Sequence, residues 1–192
     1  EHTPQFCDVA GYGIMDLQSL PTSLNSSDIS AVMYVNLYGN VIDYDKFRVQ
    51  PEFFGKSPVI IEDAAQSFGA HYNGRPSGSL GFASVLSFDP TKNLANYGNG
   101  GAIVTEDGYL AKFARDWTTH GKYGNHHLAG SNSRMSEVDC GQLLVKTRYL
   151  DSWQQRRKQI AWEWMNKLKG SPVRSLIDDT NFQTHCYHKF VI

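Results

Sequence analysis

Long apolar runs are missing from this 192-residue chain, and so is any surplus of charge of one sign. No stretch approaches the roughly 20 apolar residues that a helix needs to cross a bilayer. Eighteen Lys and Arg stand against nineteen Asp and Glu. That balance argues against binding to nucleic acid or to a membrane surface, since both draw on excess positive charge. Cysteine is scarce: Cys7, Cys140 and Cys186 are odd in number and widely spaced. They suggest neither a disulfide framework nor a zinc site, and a reduced, cytoplasmic compartment is expected. Absent too are an initiator Met, an apolar signal segment and a basic leader. The chain opens Glu1-His2-Thr3-Pro4 and stops at Phe190-Val191-Ile192, within what reads as a strand. Both ends read as cut, as in a fragment of a longer protein. Asn25-Ser26-Ser27 fits a glycosylation acceptor but, without a secretory signal, reads as a polar turn.

What is present is a globular pattern in which strand-like and helix-like segments alternate. Strands are expected at Ala31 to Leu37, Pro58 to Ile61, Ser84 to Phe88 and Ala102 to Thr105. Asn73-Gly74 predicts a hairpin between Tyr72 and Arg75. Leu110, Phe113, Ala114 and Trp117 recur at helical spacing, with Thr105 or Asp107 as cap and Gly121 beyond the end. A longer helical stretch begins near Ser136. Leu150, Trp153, Ile160, Trp164 and Leu168 continue its apolar stripe to Gly170. Short buried strands alternating with helices predict an α/β fold with a largely parallel sheet. Gly170 and Pro172 mark a boundary, so residues 1–169 form one domain and 170–192 open a second.

Ligands of open α/β sheets gather beyond the carboxyl ends of strands. One such end reads Ile60-Ile61-Glu62-Asp63-Ala64-Ala65-Gln66-Ser67. The other reads Ser84-Val85-Leu86-Ser87-Phe88-Asp89-Pro90-Thr91-Lys92-Asn93, followed by the turn Tyr97-Gly98-Asn99-Gly100-Gly101. An acid at one strand end and a Lys after the next suit the two ends of a flat, charged ligand. Taken singly, Lys92 reads as a solvated loop residue and Asp63 as a strand-end cap.

Together with Asn132-Ser133-Arg134-Met135 and His185-Cys186-Tyr187-His188, these runs resemble the DegT/StrS family of sugar aminotransferases, from about Pro4 to Ile192. The resemblance implies a fold-type I pyridoxal-phosphate (PLP) enzyme: a large cofactor-binding domain with a mostly parallel sheet, plus the beginning of a small C-terminal domain. It implies that Lys92 forms the Schiff base with the cofactor aldehyde and that Asp63 pairs with the pyridinium nitrogen, keeping the ring an electron sink. By the same resemblance Ala65 packs on the ring, Gln66 lies near its 3-hydroxyl and Ser87 binds the phosphate. Asn132 reaches the phosphate of a neighbouring subunit's cofactor in a homodimer with shared active sites. His185, Tyr187 and His188 border the sugar site. The implied reaction transfers an amino group, with glutamate as donor, to a nucleotide-linked keto sugar. Freed Lys92 shuttles the proton, and the kinetics are ping-pong.

The pattern has departures and rivals. Family enzymes are considerably longer, and a phosphate loop and a ring-stacking aromatic residue belong to the segment upstream. Asn36 stands where many relatives carry His, and Asn99 where an acid is common; either bears on substrate choice. Sugar dehydratases of the family carry His in place of the Lys, so Lys92 favours transamination. A non-catalytic fragment or structural subunit is the remaining reading. His126 and His127 are adjacent, and His185 and His188 fall on opposite faces of an expected strand, so no metal site is expected. Arg156-Arg157-Lys158 reads as a solvated helix face.

Overall fold

The computed structural model describes residues 3–19, 29–48, 58–122, 126, 128–177 and 184–192. Asn25-Ser26-Ser27 and His127 lie outside them. Strands β1 (Ala31–Val35), β2 (Val59–Asp63), β5 (Ala83–Ser87) and β6 (Gly101–Thr105) form one sheet in the order β1-β2-β5-β6. β1, β2 and β5 run parallel, and β6 closes the sheet antiparallel to β5. The expected hairpin is there as β3 (His71–Tyr72) and β4 (Arg75–Pro76), turning through Asn73 and Gly74 with positive φ at both.

Four helices accompany the sheet among the described residues: α1 (Tyr44–Arg48), α2 (Gly108–Trp117), α3 (Glu137–Thr147) and α4 (Leu150–Leu168). Asp107 caps α2, its carboxylate accepting from the Leu110 N–H at 2.6 Å. Thr105 instead accepts from the Asp107 N–H and donates to the Phe82 carbonyl. Ser136 caps α3 through the Asp139 N–H. The expected single stretch from Ser136 to Gly170 is two helices, broken at Arg148 and Tyr149. Its apolar stripe is not the packed face either. Trp153, Ile160 and Trp164 stay substantially exposed, while Gln154 and Ala161 of α4 are buried. Phe190 to Ile192 is not strand. Among the described residues no helix is long and apolar enough to span a membrane.

Strand alternation divides the sheet into two chemically different faces. Val32, Tyr34, Glu62 and Ser84 point to the buried face, where Val32 and Tyr34 pack with Ile42. Register puts Val35, Asp63, Val85 and Ile103 in one row on the other face. That face carries exposed apolar side chains, Met33 and Ile103 at 58% and 54% among them. Glu62 and Asp63 are neighbours in sequence, yet one carboxylate is buried and the other sits at the open edge.

Glu62 is fully buried, and five donors satisfy it. Oε1 accepts from Asn36 Nδ2 (2.8 Å), Ser77 Oγ (2.8 Å) and the Gly78 N–H (2.9 Å). Oε2 accepts from the Leu80 N–H (2.9 Å) and Ser84 Oγ (2.8 Å). Ser77 in turn accepts from Asn36 Nδ2 (3.0 Å) and meets Ser67 Oγ at 2.5 Å. Asn36 Oδ1 takes the Ile42 N–H at 3.1 Å. Asn36 is thus wholly buried in a polar network, which gives it a structural role that its position in the sequence does not suggest. Burying a carboxylate is tolerable only with donors supplied in full. Glu62→Ala strands several of these donors at once. It is expected to lower unfolding stability by at least about 3 kcal/mol, read as a lower urea midpoint with an unchanged slope. A midpoint equal to the native one would refute the network's role.

Candidate active site

The carboxyl ends of β1, β2 and β5 lie side by side, and the predicted residues collect there. Asp63 is the last residue of β2 and Ser87 the last of β5. Both belong to the open face, since Asp63 is paired with Val85 and Ser87 follows two residues later. Asp63 Oδ1 accepts the Ala65 N–H at 3.0 Å, which fixes the carboxylate over the turn that follows. Oδ2 has no hydrogen-bond partner among the described residues. The Ala64 N–H bonds the Val85 carbonyl at 3.0 Å, so the turn stays joined to β5 before Ala65 and Gln66 emerge.

Gln66 has its orientation set by the backbone. The Tyr38 N–H can only donate, so the oxygen at 2.8 Å must be Oε1, and the amide NH2 is directed away from that contact. Tyr38 and Gly39 form a left-handed turn just beyond β1, with φ of 61° and 101°. Glycine is required at the second position: a Cβ there would meet Cys186 Sγ at 2.7 Å and the His188 nitrogen at 2.9 Å.

The Lys92 loop is held at both ends. Asp89 Oδ1 accepts from the Thr91 N–H (2.9 Å) and Thr91 Oγ1 (2.6 Å), and the Lys92 N–H bonds the Asp89 carbonyl (2.9 Å). Ser87 Oγ accepts from the Asp89 N–H at 3.3 Å, which leaves its proton free to donate. The Asn96 N–H returns to the Phe88 carbonyl at 2.7 Å. From α3, Lys146 Nζ donates to the Ala95 carbonyl at 2.6 Å and Gln142 bonds Asn96. Asn99 is exposed, and its carbonyl accepts from Asn96 Nδ2 at 3.4 Å. Lys92 is half-buried, and its Nζ has no hydrogen-bond or ion-pair partner among the described residues.

Residues 185–188 are not the strand that the sequence suggests, and the opposite-face argument for His185 and His188 falls with it. The segment turns at Tyr187, which has φ of 52° and is buried. His185 and His188 are both buried. The Cys186 N–H bonds the Gly39 carbonyl at 3.0 Å and the Lys189 N–H bonds the Tyr38 carbonyl at 3.1 Å. Arg157 donates to the Tyr187 carbonyl at 3.2 Å, so this member of the basic run is not simply solvated. His185, Tyr187 and His188 therefore flank the Tyr38–Gly39 turn, against the backbone that carries Gln66. Asn132 lies apart from this group. It is exposed and bridges only to Thr119. Among the described residues no three His, Cys, Asp or Glu side chains could hold a metal.

Burial keeps the segment's titratable groups neutral. It holds His185 down at about 4, with Lys158 adding to the effect. Nδ1 of that ring accepts the Tyr187 N–H at 2.8 Å, which needs an unprotonated nitrogen. His188 is also pushed down to about 4, first by burial and then by the charges of Lys92, Lys189 and Arg157. Burial pushes the Cys186 thiol up to about 12. Between pH 6.5 and about 4 an unfolded chain binds protons at these histidines that the folded chain refuses. Their stabilising contribution is complete above 6.5 and is lost as pH falls toward 4. His185→Asn keeps an acceptor and removes one titration. It is expected to show a shallower fall of Tm with acidification than the native protein, and parallel slopes would refute the assignment.

The residues that sequence reasoning missed are Asn36, Ser77, Ser84, Asn93, Gln154 and Arg157. Ser84 and Asn93 lie within the motif run that leads to Lys92 without a chemical role of their own there; each of the six acts by bonding backbone or a buried carboxylate. The one available signal was Glu62, a charge in an apolar strand pointing opposite to Asp63.

Residues 1–192 match the DegT/DnrJ/EryC1/StrS aminotransferase family. The chain is 39% identical to a pleiotropic regulatory protein of Geobacillus stearothermophilus over 168 residues, 84% of this chain and 44% of the relative. It is 39% identical to dTDP-3-amino-3,4,6-trideoxy-alpha-D-glucose transaminase of Streptomyces venezuelae over 145 residues, covering 74% and 38%. The crystal structure of S. venezuelae DesV, in complex with a ketimine intermediate, superposes with a TM-score of 0.82 at 33% identity, covering 93% of this chain and 48% of that one. The chain thus spans less than half the length of these relatives. The expected fold-type I architecture, α/β with a mostly parallel sheet, is the one observed. By the extent of the match and the shared fold, the chain belongs to the DegT/DnrJ/EryC1/StrS aminotransferase family.

Proposed function

We propose that the complete protein is a pyridoxal-phosphate aminotransferase that aminates a nucleotide-linked keto sugar, with glutamate as donor. One observation carries the reading. Asp63 and Lys92 follow two adjacent parallel strands at the same sheet edge, and Asp63 Oδ2 and Lys92 Nζ are both unpartnered among the described residues. The transaminase name of the S. venezuelae relative supports the substrate class.

The donor set suits the cofactor. Asp63 offers a carboxylate to the ring nitrogen, Lys92 an amine to the aldehyde, and Ser87 a hydroxyl to the phosphate. Gln66, with Oε1 occupied by Tyr38, presents its NH2 toward the ring oxygen. Ala65 is small enough to pack against a flat ring. When bound, the cofactor supplies an electron-withdrawing ring conjugated to the donor nitrogen. The carboxylate of Asp63 holds the proton on the ring nitrogen and so sustains that withdrawal. Lys92 Nζ would take the proton from the donor α-carbon and return it two atoms along, at the former aldehyde carbon. Ser87, the last residue of β5, would donate its hydroxyl proton to the phosphate.

Asn132, exposed and apart, is assigned to the cofactor phosphate of a second subunit in a homodimer. His185, Tyr187 and His188 are assigned to the border of the sugar site. Residues 1–169 are assigned to the large domain and 170–192 to the start of the small one, in a cytoplasmic enzyme. Purified with pyridoxal phosphate, the full-length protein is expected to show a visible absorbance band and, after borohydride reduction, a cofactor adduct on the Lys92 peptide. Lys92→Ala is expected to lose both, with amino transfer falling at least about a hundredfold. A band or adduct that survives in Lys92→Ala would sink the proposal.

A further inference from the structure

Next to Lys92, Asn93 turns inward, as do Leu94 and Asn96, while Pro90 and Thr91 face out. It is buried, and its Nδ2 donates in two directions: to the Cys186 carbonyl at 3.1 Å and to the Phe68 carbonyl at 3.5 Å. The acceptors lie 93 and 25 residues away along the chain. Phe68 is two residues beyond Gln66, and its ring meets Phe88 edge-on at 6.0 Å. Cys186 reaches the Gln66 carbonyl through its thiol at 3.4 Å. One amide therefore ties the lysine loop to the turn that carries Gln66 and to the segment that carries His185 and His188. The Phe68 carbonyl is also held from α4, where Gln154 Nε2 donates at 3.0 Å. Gly69 makes room for that contact; a Cβ there would overlap the Gln154 amide.

Lys92 is the residue immediately before this tie. Its own side chain has no partner among the described residues, so only the backbone on either side can fix Nζ. On the upstream side Asp89 and Thr91 close a small turn, but that turn bonds only to itself and to Ser87. Downstream, the first side chain to grip other segments is Asn93. A buried amide with two carbonyl acceptors locks one rotamer and excludes water, as a loop rich in small polar residues would not. The bond also costs something: Asn93 Oδ1 is buried with no partner among the described residues. A Leu or Met would fill the space without leaving a buried acceptor unpaired.

We propose that Asn93 is a positioning residue for Lys92: its amide clamps the lysine loop to Phe68 and Cys186 and sets where the amine stands relative to Asp63 and Gln66. The proposal rests on Lys92 being the cofactor-bearing lysine.

The test compares Asn93→Leu with Gln154→Leu in the full-length protein. Both remove a donor from the Phe68 carbonyl at similar volume, but only the first releases the lysine loop. Amide hydrogen exchange is read over residues 89–96 without cofactor, and kcat and KM with it. Asn93→Leu is expected to speed exchange there about tenfold or more, the equivalent of one buried hydrogen bond. It is also expected to lower kcat ten- to a hundredfold, as small displacements of a reacting group do, with the donor KM within about twofold. Gln154→Leu is expected to lower Tm comparably and leave both readouts near native. Exchange and kcat that track Tm alike in the two variants would overturn the proposal. If Asn93→Leu does not fold, Asn93→Ser, with one donor on a shorter arm, replaces it; native exchange and kcat in that variant would also overturn it. Borohydride labelling of the native protein reports separately on Lys92. If no adduct forms there, the functional reading fails, while the exchange comparison still decides the clamp.

Discussion

A single buried carboxylate organises the polar interior. Glu62 accepts five hydrogen bonds from the end of β1, the turn at residues 77–80 and the body of β5. Parallel strands bond only along their ladders, and nothing in a ladder fixes the loops that leave their carboxyl ends. Glu62 supplies that missing constraint from beneath. Asn36, Ser77 and Ser84 exist to serve it, and the price of burying a charge is met by donors that also fix three chain segments. Strand alternation then places Asp63, one residue later, on the opposite face with its outer oxygen unspent. Rigidity on one side and availability on the other come from adjacent residues of one strand.

Much of this was legible beforehand, and the reasons are local. β1, β2, β5 and β6 show as apolar runs because packing demands them, and the hairpin at Asn73-Gly74 shows because a two-residue turn has few chemical solutions. Asp63, Gln66, Ser87 and Lys92 stood out by order and motif, and the fold brings their strand ends together. The stripe on α4 misled. Periodicity marks an apolar face but not what covers it, and Trp153, Ile160 and Trp164 stay partly exposed, with Tyr149 stacked on Trp153 and Lys167 over Trp164. The residues around His185 misled for another reason. A short run with Cys186 and Tyr187 leading to Phe190-Val191-Ile192 reads as strand, yet long-range bonds to Gly39, Asn93 and Arg157 override that propensity. Asn36 was unreadable, because its partner Glu62 lies 26 positions away.

The neutral histidines complete the electrostatic picture. His188 faces Lys92, Lys189 and Arg157, and burial together with those charges keeps it unprotonated. A charged imidazole there would add a further positive charge beside the lysine.

The crossing at Gly39 has a temporal consequence. The bonds that lock the Tyr38–Gly39 turn come from Cys186 and Lys189, nearly 150 residues later. Contacts of such separation form late, because the loop they close must first lose its entropy. On a growing chain the sheet and the Glu62 network have all their partners well before that segment exists. Closure of the Tyr38–Gly39 turn therefore follows the Glu62 network, whose partners all lie between residues 36 and 84.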